Sequence, residues 1–335
     1  MTREKIIGLI IAVLLIAAVG SYPLYSDLLR GGDGGFSVDF PSAAGPSGNP
    51  GFELAAADLP PNNTMMVYKV ENPVVTTDSV QQIGRKVGFE GGAGYIDRDT
   101  KIAMLNEGAE EVRQLSVWVN SGAVEYAIVY PDKLYPPEPP DLPSEEEARQ
   151  IAVDFLAQSG LLPPDATIGD SYETEVVTGG AYAIEEEVPE EGVEEAGEIE
   201  PEVVEEYVTH LLVRFHRRID GFPVTGSGNK FGVRIGDEGE VITILKVWRE
   251  VTPYRKVAVK TAEQAYQELK SGAGSYYAPL DCEKVVVEQV YLAYWMEPLD
   301  EHQEYVVPVY EFKGKCLDKD GEYLEAFVGW CEAVK

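Results

Sequence analysis

The sequence predicts an α+β protein, with an N-terminal transmembrane helix followed by repeated units of one helix packed on a curled antiparallel sheet. Three observations lead there. A capped amphipathic helical pattern occurs three times. Each copy is followed by several alternating apolar and polar runs joined at glycine-containing turns, and one long apolar run opens the chain. Helices followed by groups of strands point away from a parallel α/β sheet, where helices alternate with single strands.

The apolar run is the first element. From Ile6 to Val19 it is unbroken, about 21 Å of helix at ~1.5 Å per residue, short of a hydrocarbon core of ~30 Å. Continued to Tyr25, with Ser21 and Pro23 as weak interruptions, it is long enough to span. Arg3 and Lys5 hold that end in the cytoplasm. Residues 1–30 therefore read as a signal anchor of a single-pass cell-membrane protein whose C-terminal part is extracytoplasmic. Ala18-Val19-Gly20 also fits a cleavage site, and a cleaved chain would be secreted. Residues 31–63, rich in Gly, Pro, Ser and Ala, read as a flexible linker spanning roughly 30 Å on average. Asn62-Asn63-Thr64 within it is an N-glycosylation triplet.

The first α+β unit is expected over 64–140. Val80, Ile83 and Val87 share a helical face there, and "QLSVWVN" and "AVEYAIVY" are strands joined at Ser121-Gly122. The second unit, 141–256, opens on a capping box, Ser144 with Glu147. The stripe Ala148, Ile151, Ala152, Phe155 and Leu156 follows and stops at Gly160. The third, 257–335, opens on Thr261 with Gln264 and continues into "KVVVEQVYLAYWM", "EYVVPVYEF" and "EYLEAFVGW". Residues 179–206 interrupt the second unit with twelve Glu and no Lys or Arg, so self-repulsion makes them a disordered acidic loop between two strands.

Charge bounds the partners. With 27 basic and 58 acidic residues the net charge is −31, and such a surface repels phosphate backbones, so nucleic acid is not expected as a partner. Chemistry is sparse. The three histidines form no metal-ligand pair: His210 and His216 share a strand face about 20 Å apart at ~3.3 Å per residue, too far to share an ion. No nucleophile elbow occurs and no cysteine stands beside a plausible histidine base. No catalytic, cofactor-binding or metal-ligating residue is assigned, and an enzyme is not expected.

One stretch, "RRIDGFPVTGSGNKFGVRIGDEGEVITI", asks whether its glycines cradle a phosphate or turn a sheet. A cradle needs a helix N-terminus directly after the glycines, and here strand follows. Gly221, Pro223, Gly226 and Gly239 are therefore read as structural turn positions. With the aromatic-rich strand before them and the capped helix at Ser144, these residues resemble the recurring line of PepSY and fungalysin/thermolysin propeptide domains. The three units behind one anchor are similar in organisation to YycH/YycI-type extracytoplasmic regulators of a cell-envelope histidine kinase. The resemblance implies a non-catalytic module that binds or restrains a partner protein outside the membrane, with an envelope peptidase or sensor kinase as the concrete expectation. A structural cell-surface component is the alternative. Candidates for partner contact are Tyr276, Tyr277 and Trp295, for which ordinary core packing is the competing role.

Three cysteines remain. A hairpin turning near residues 299–301 places Cys316 opposite residue 284, beside Cys282, and Cys331 opposite residue 308. A Cys282–Cys316 disulfide is one reading and free buried thiols the other; closing that loop would stabilise by about 4 kcal/mol on the chain-entropy account.

Overall fold

The computed structural model describes residues 40, 50–61, 64–91, 94–109, 111–168, 177–182 and 203–335. The expected membrane anchor, Asn62, most of the expected linker 31–63 and residues 183–202 of the expected disordered loop 179–206 lie outside these; against expectation, Gly51–Leu54 of the linker is a strand paired with residues 284–287, and residues 179–182 and 203–206 of the loop are strand, because pairing satisfies their backbone groups. Among the described residues no helix is long and apolar enough to cross a membrane.

In chain order the elements are β1 (Gly51–Leu54), β2 (Thr64–Glu71), α1 (Thr77–Lys86), β3 (Tyr95–Asp97), β4 (Ile102–Glu107), β5 (Val112–Trp118), β6 (Val124–Val129), the single turn α2 (Pro131–Leu134), α3 (Glu145–Gln158), β7 (Ala166–Ile168), β8 (Val177–Tyr182), β9 (Val203–Ile219), β10 (Phe222–Thr225), β11 (Phe231–Ile235), β12 (Val241–Lys246), β13 (Glu250–Ala258), α4 (Ala262–Lys270), β14 (Ser275–Tyr277), β15 (Lys284–Trp295), β16 (Tyr305–Val306), β17 (Pro308–Leu317) and β18 (Tyr323–Glu332). The three longer helices begin on reciprocal caps at Thr76, Ser144 and Thr261, each side chain accepting from the N–H three residues on.

The fold class departs from the expectation. The described chain is mostly β, and it is not a series of helix-on-sheet units. One mixed sheet of 15 strands runs in the order β14-β18-β17-β15-β10-β9-β11-β12-β6-β5-β4-β3, with β1 also on β15 and β7 and β8 on β9. A separate three-stranded sheet is ordered β13-β2-β16. The physical reason is at the strand edges. A strand with an open edge leaves N–H and C=O groups unpaired, and here each expected unit meets its neighbour edge to edge. β12 pairs antiparallel with β6 (Ile244↔Tyr126), and β10 runs parallel to β15 (Val224↔Tyr294). β2 is drawn away from β4–β6 to pair with β13 and β16.

Two cores result. In the first, α1 and α3 cover one face of β3-β4-β5-β6-β12-β11-β9, burying Val80, Ala152 and Leu156 against Leu115, Tyr126, Val213, Val233 and Ile244. The second lies around α4, where Ala265, Tyr266 and Leu269 pack with Val285, Tyr310, Phe312 and Phe327. β10 joins the halves, hydrogen-bonded to β9 through one edge and to β15 through the other. Beside it Arg217, buried, donates from Nε to Asp165 (3.0 Å) and from Nη1 to the Arg249 carbonyl (2.6 Å), with its guanidinium 4.7 Å from the Trp248 ring centre.

Candidate functional site

Strand residues alternate between faces, so the seven-stranded half must present a second face where its first is buried under helices. On β9, Leu211, Val213 and Phe215 enter the core, which places His210, Leu212 and Arg214 on the other side. The ladders align two rows across that face. One runs Met104–Ser116–Glu125–Leu245–Gly232–Arg214; the other runs Asn106–Gln114–Ala127–Thr243–Arg234–Leu212.

Both ends of this face are bounded. At one end the chain after β6 folds over it: His210 Nε2 meets the Lys133 carbonyl at 2.7 Å and the Tyr207 hydroxyl donates to Pro136 O. A carbonyl only accepts, so Nε2 carries the proton, and burial lowers the His210 pKa, which keeps the ring neutral. At the other end the loop before β16 lies against the face. Ser121 donates to Leu299 O, Asn120 Nδ2 donates to Asp300 O (2.8 Å), and Leu299 packs on Trp118, Ala123 and Val247.

The floor between is polar and partly exposed. Burial raises the pKa of the Glu125 carboxyl above its ordinary value, although the residue as a whole is only half-buried. The Arg234 Nε is buried with no hydrogen-bond partner. Glu125 and Arg214 stand three strands apart, about 14 Å at ~4.8 Å per strand, so they cannot neutralise each other directly. A desolvated acid and a cation with unused donor capacity, fixed on a rigid sheet, suit recognition of a polar segment carrying charges of both signs. Among the described residues no group of His, Cys, Asp or Glu is arranged to hold a metal ion.

The turn residues lie elsewhere, at the joint between the halves. Asp220 (φ 51°) and Gly221 (φ 80°) are the two central residues of a type I′ turn closing the β9–β10 hairpin, Phe222 opposite Ile219. Pro223 sits in β10 opposite Arg218. Gly226 (φ 96°) turns the chain away from β10 where a Cβ would stand 2.6 Å from Met296 O, and Gly239 (φ 80°) leads into β12. Trp295 is core, 1% exposed, between Phe40 and Trp330. Tyr276 packs on Phe52 and Phe327, while Tyr277 is exposed on the edge strand β14. Cys282, Cys316 and Cys331 are buried and free.

Sequence reasoning passed over Glu125 and Arg234. The alternation of "AVEYAIVY" already sets Glu125 and Ala127 opposite Val124, Tyr126 and Ile128. It does not reveal that the polar face is shielded.

Buried hydroxyls and thiols give the fold a pH signature. Burial pushes the Cys331 thiol from 9.0 up to about 12 and the Tyr310 hydroxyl from 10.0 up to about 12; Tyr310 also donates to Lys260 O (2.8 Å). Burial raises Cys316, Tyr68 and Tyr294 as well. A raised folded pKa means that the fold holds the proton more tightly than the unfolded chain. Its stabilisation is complete below the unfolded values of 9.0 and 10.0 and is lost as pH rises toward about 12. Urea midpoints should therefore fall steadily on the alkaline side; midpoints level to about pH 11 would contradict this.

No protein-family model matches the chain, and no curated protein matches it. Among solved structures it is similar to an uncharacterized protein from Eubacterium rectale ATCC 33656, at 9% identity and a TM-score of 0.37, covering 80% of this chain and 83% of that one. A likeness at that level carries no functional argument.

Proposed function

We propose that the chain is a membrane-anchored, extracytoplasmic, non-catalytic protein-binding module that regulates or inhibits an envelope peptidase or sensor kinase. One observation carries the reading: the bounded face of β4-β5-β6-β12-β11-β9 sets Glu125, whose carboxyl pKa burial raises, on the same side as Arg234, whose buried Nε has no hydrogen-bond partner. Charge held in that state raises the free energy of the isolated protein. A partner supplying a cation to Glu125 and an acceptor to Arg234 recovers it on binding. Residues 6–25 as an anchor, with Arg3 and Lys5 before them, supply the placement at the membrane.

A photo-crosslinker placed at Thr243, at the centre of the face, tests both parts in intact cells. We expect a discrete heterologous adduct recovered from membranes and lost on Arg234→Glu. We also expect Glu125→Gln to weaken the adduct while leaving the fold at least as stable at pH 7, because it removes a buried charge. Adducts only between copies of this chain would favour the structural-component alternative. Protease added to intact cells should cut between residues 31 and 63; full protection until lysis would place the chain in the cytoplasm and end the extracytoplasmic reading.

A further inference from the structure

The three thiols share burial but not surroundings. Cys331, on β18 opposite Tyr310, points its Sγ at Glu268 Oε2, 3.4 Å away. Cys282 precedes β15 in the loop from β14, and Cys316 lies on β17 opposite Val285. The ladder continues past the first residue of β15, since Glu283 N donates to Leu317 O at 3.0 Å, and this carries residue 282 alongside the end of β17. The two side chains lie in one core, close enough for each to bear on the other's proton, with Tyr276 beside both, and the Cys282 thiol donates to Lys284 O at 3.7 Å. At 2% and 0% exposure both thiols are closed to solvent.

We propose that Cys282 and Cys316 close into a disulfide that clamps the β14–β15 loop to β17, with Cys331 left as a permanent thiol. The oxidant is a disulfide of the thiol–disulfide exchange class. One cysteine, as thiolate, attacks a sulfur of that disulfide and expels one thiolate, giving a mixed disulfide. The second cysteine, as thiolate, attacks the protein sulfur of the mixed disulfide, forming the Cys282–Cys316 bond and expelling the second thiolate. Two electrons pass from the pair to the oxidant disulfide, and the pair's two protons end on the two thiols it releases. Burial, with Asp281 and Glu325 nearby, holds Cys316 protonated in the folded chain. Exchange with the assembled protein is accordingly slow, and the bond forms during folding or when the loop at 278–283 opens. The same burial shields the closed bond from reductant.

The test uses the full chain, refolded from denaturant in a mixture of oxidised and reduced glutathione. A parallel sample is refolded in reductant alone. After alkylation under denaturing conditions, non-reducing peptide mapping should find Cys282 joined to Cys316, two hydrogens lighter, and Cys331 alkylated. Cys331→Ser should keep the crosslink and Cys316→Ser should abolish it. The folded, reduced chain, given the same glutathione mixture, should form the bond many-fold more slowly than the refolding chain. A crosslink that includes Cys331, or three alkylated cysteines in oxidised material whose circular dichroism matches the reduced protein, overturns the proposal. Mapping of the chain purified directly from the cells that make it, without refolding, gives the same decision should the refolded yield be poor.

Discussion

Arg249→Leu is expected to lose about 3–5 kcal/mol of stability, the range for breaking a buried, hydrogen-bonded charge site. Arg249 is 1% exposed, and its guanidinium donates to three main-chain carbonyls: Glu297 O (2.7 Å), Pro298 O (2.6 Å) and Glu301 O (2.9 Å). Leucine fills much of the volume and removes the guanidinium from all three carbonyls, of which Pro298 O still accepts from the Glu301 N–H at 3.2 Å. Burial lowers the Arg249 pKa to about 10, so the cation is itself held at a cost that these carbonyls offset. Arg249→Lys, with one ammonium in place of a planar fork, should fall between leucine and the parent. Urea unfolding decides the matter, and an unchanged midpoint for the leucine variant would mean that solvent reaches the loop and replaces the donor.

Gly226→Ala should cost about 3 kcal/mol, from two sources that can be separated. Its φ of 96° strains any side chain, and the added Cβ would stand 2.6 Å from Met296 O and 3.0 Å from the Trp295 ring. Gly221 has a similar φ of 80° but nothing within 4 Å of its Cβ position. Gly221→Ala therefore carries the backbone strain alone, about 1 kcal/mol. The difference between the two variants measures how closely the joint at β10 approaches residues 295–296. If these glycines cradled a phosphate instead, Gly226→Ala would spare the thermal midpoint and nucleotide would raise it. A nucleotide-dependent shift in the parent chain would count against the structural reading.

What was legible in the sequence was local. The capping pairs Thr76/Ser79, Ser144/Glu147 and Thr261/Gln264 lie within one helical turn, so helix starts could be read without knowing the rest of the fold. Hairpin register was nearly as accessible. Counting outward from residues 299–301 puts Cys316 opposite 284, whereas it faces Val285: beside the loop the pairing centres on residue 301 (Tyr294↔Pro308), and a bulge between Val287 and Gln289 takes back one of the two residues of offset. Long-range pairing was not legible. Alternation marks "TMMVYKVE" as a strand but carries no label for its partners, and nothing local announces that "FPVT" runs parallel to β15. Burial of charge was equally hidden. Arg249 in "VWREV" and Glu125 in "AVEYA" read as solvated positions, and their shielding comes from a loop and strands far away in sequence.

The pairing of β2 sets an order of assembly. Its side chains and those flanking it reach Thr252 across 181 residues and the Gln303 carbonyl across 231, and both of its neighbours, β13 and β16, come from the last third of the chain. A polypeptide made from its N-terminus therefore delivers β2 long before anything exists to receive it. Strand edges left waiting in this way invite pairing with other chains, and closing contacts of such separation is slow. Completion of this protein is thus timed by its C-terminal segment. A chain cut short before residue 250 should carry an orphaned β2 and an unfinished second core, a substrate for quality-control proteolysis and not a smaller working version of the same fold.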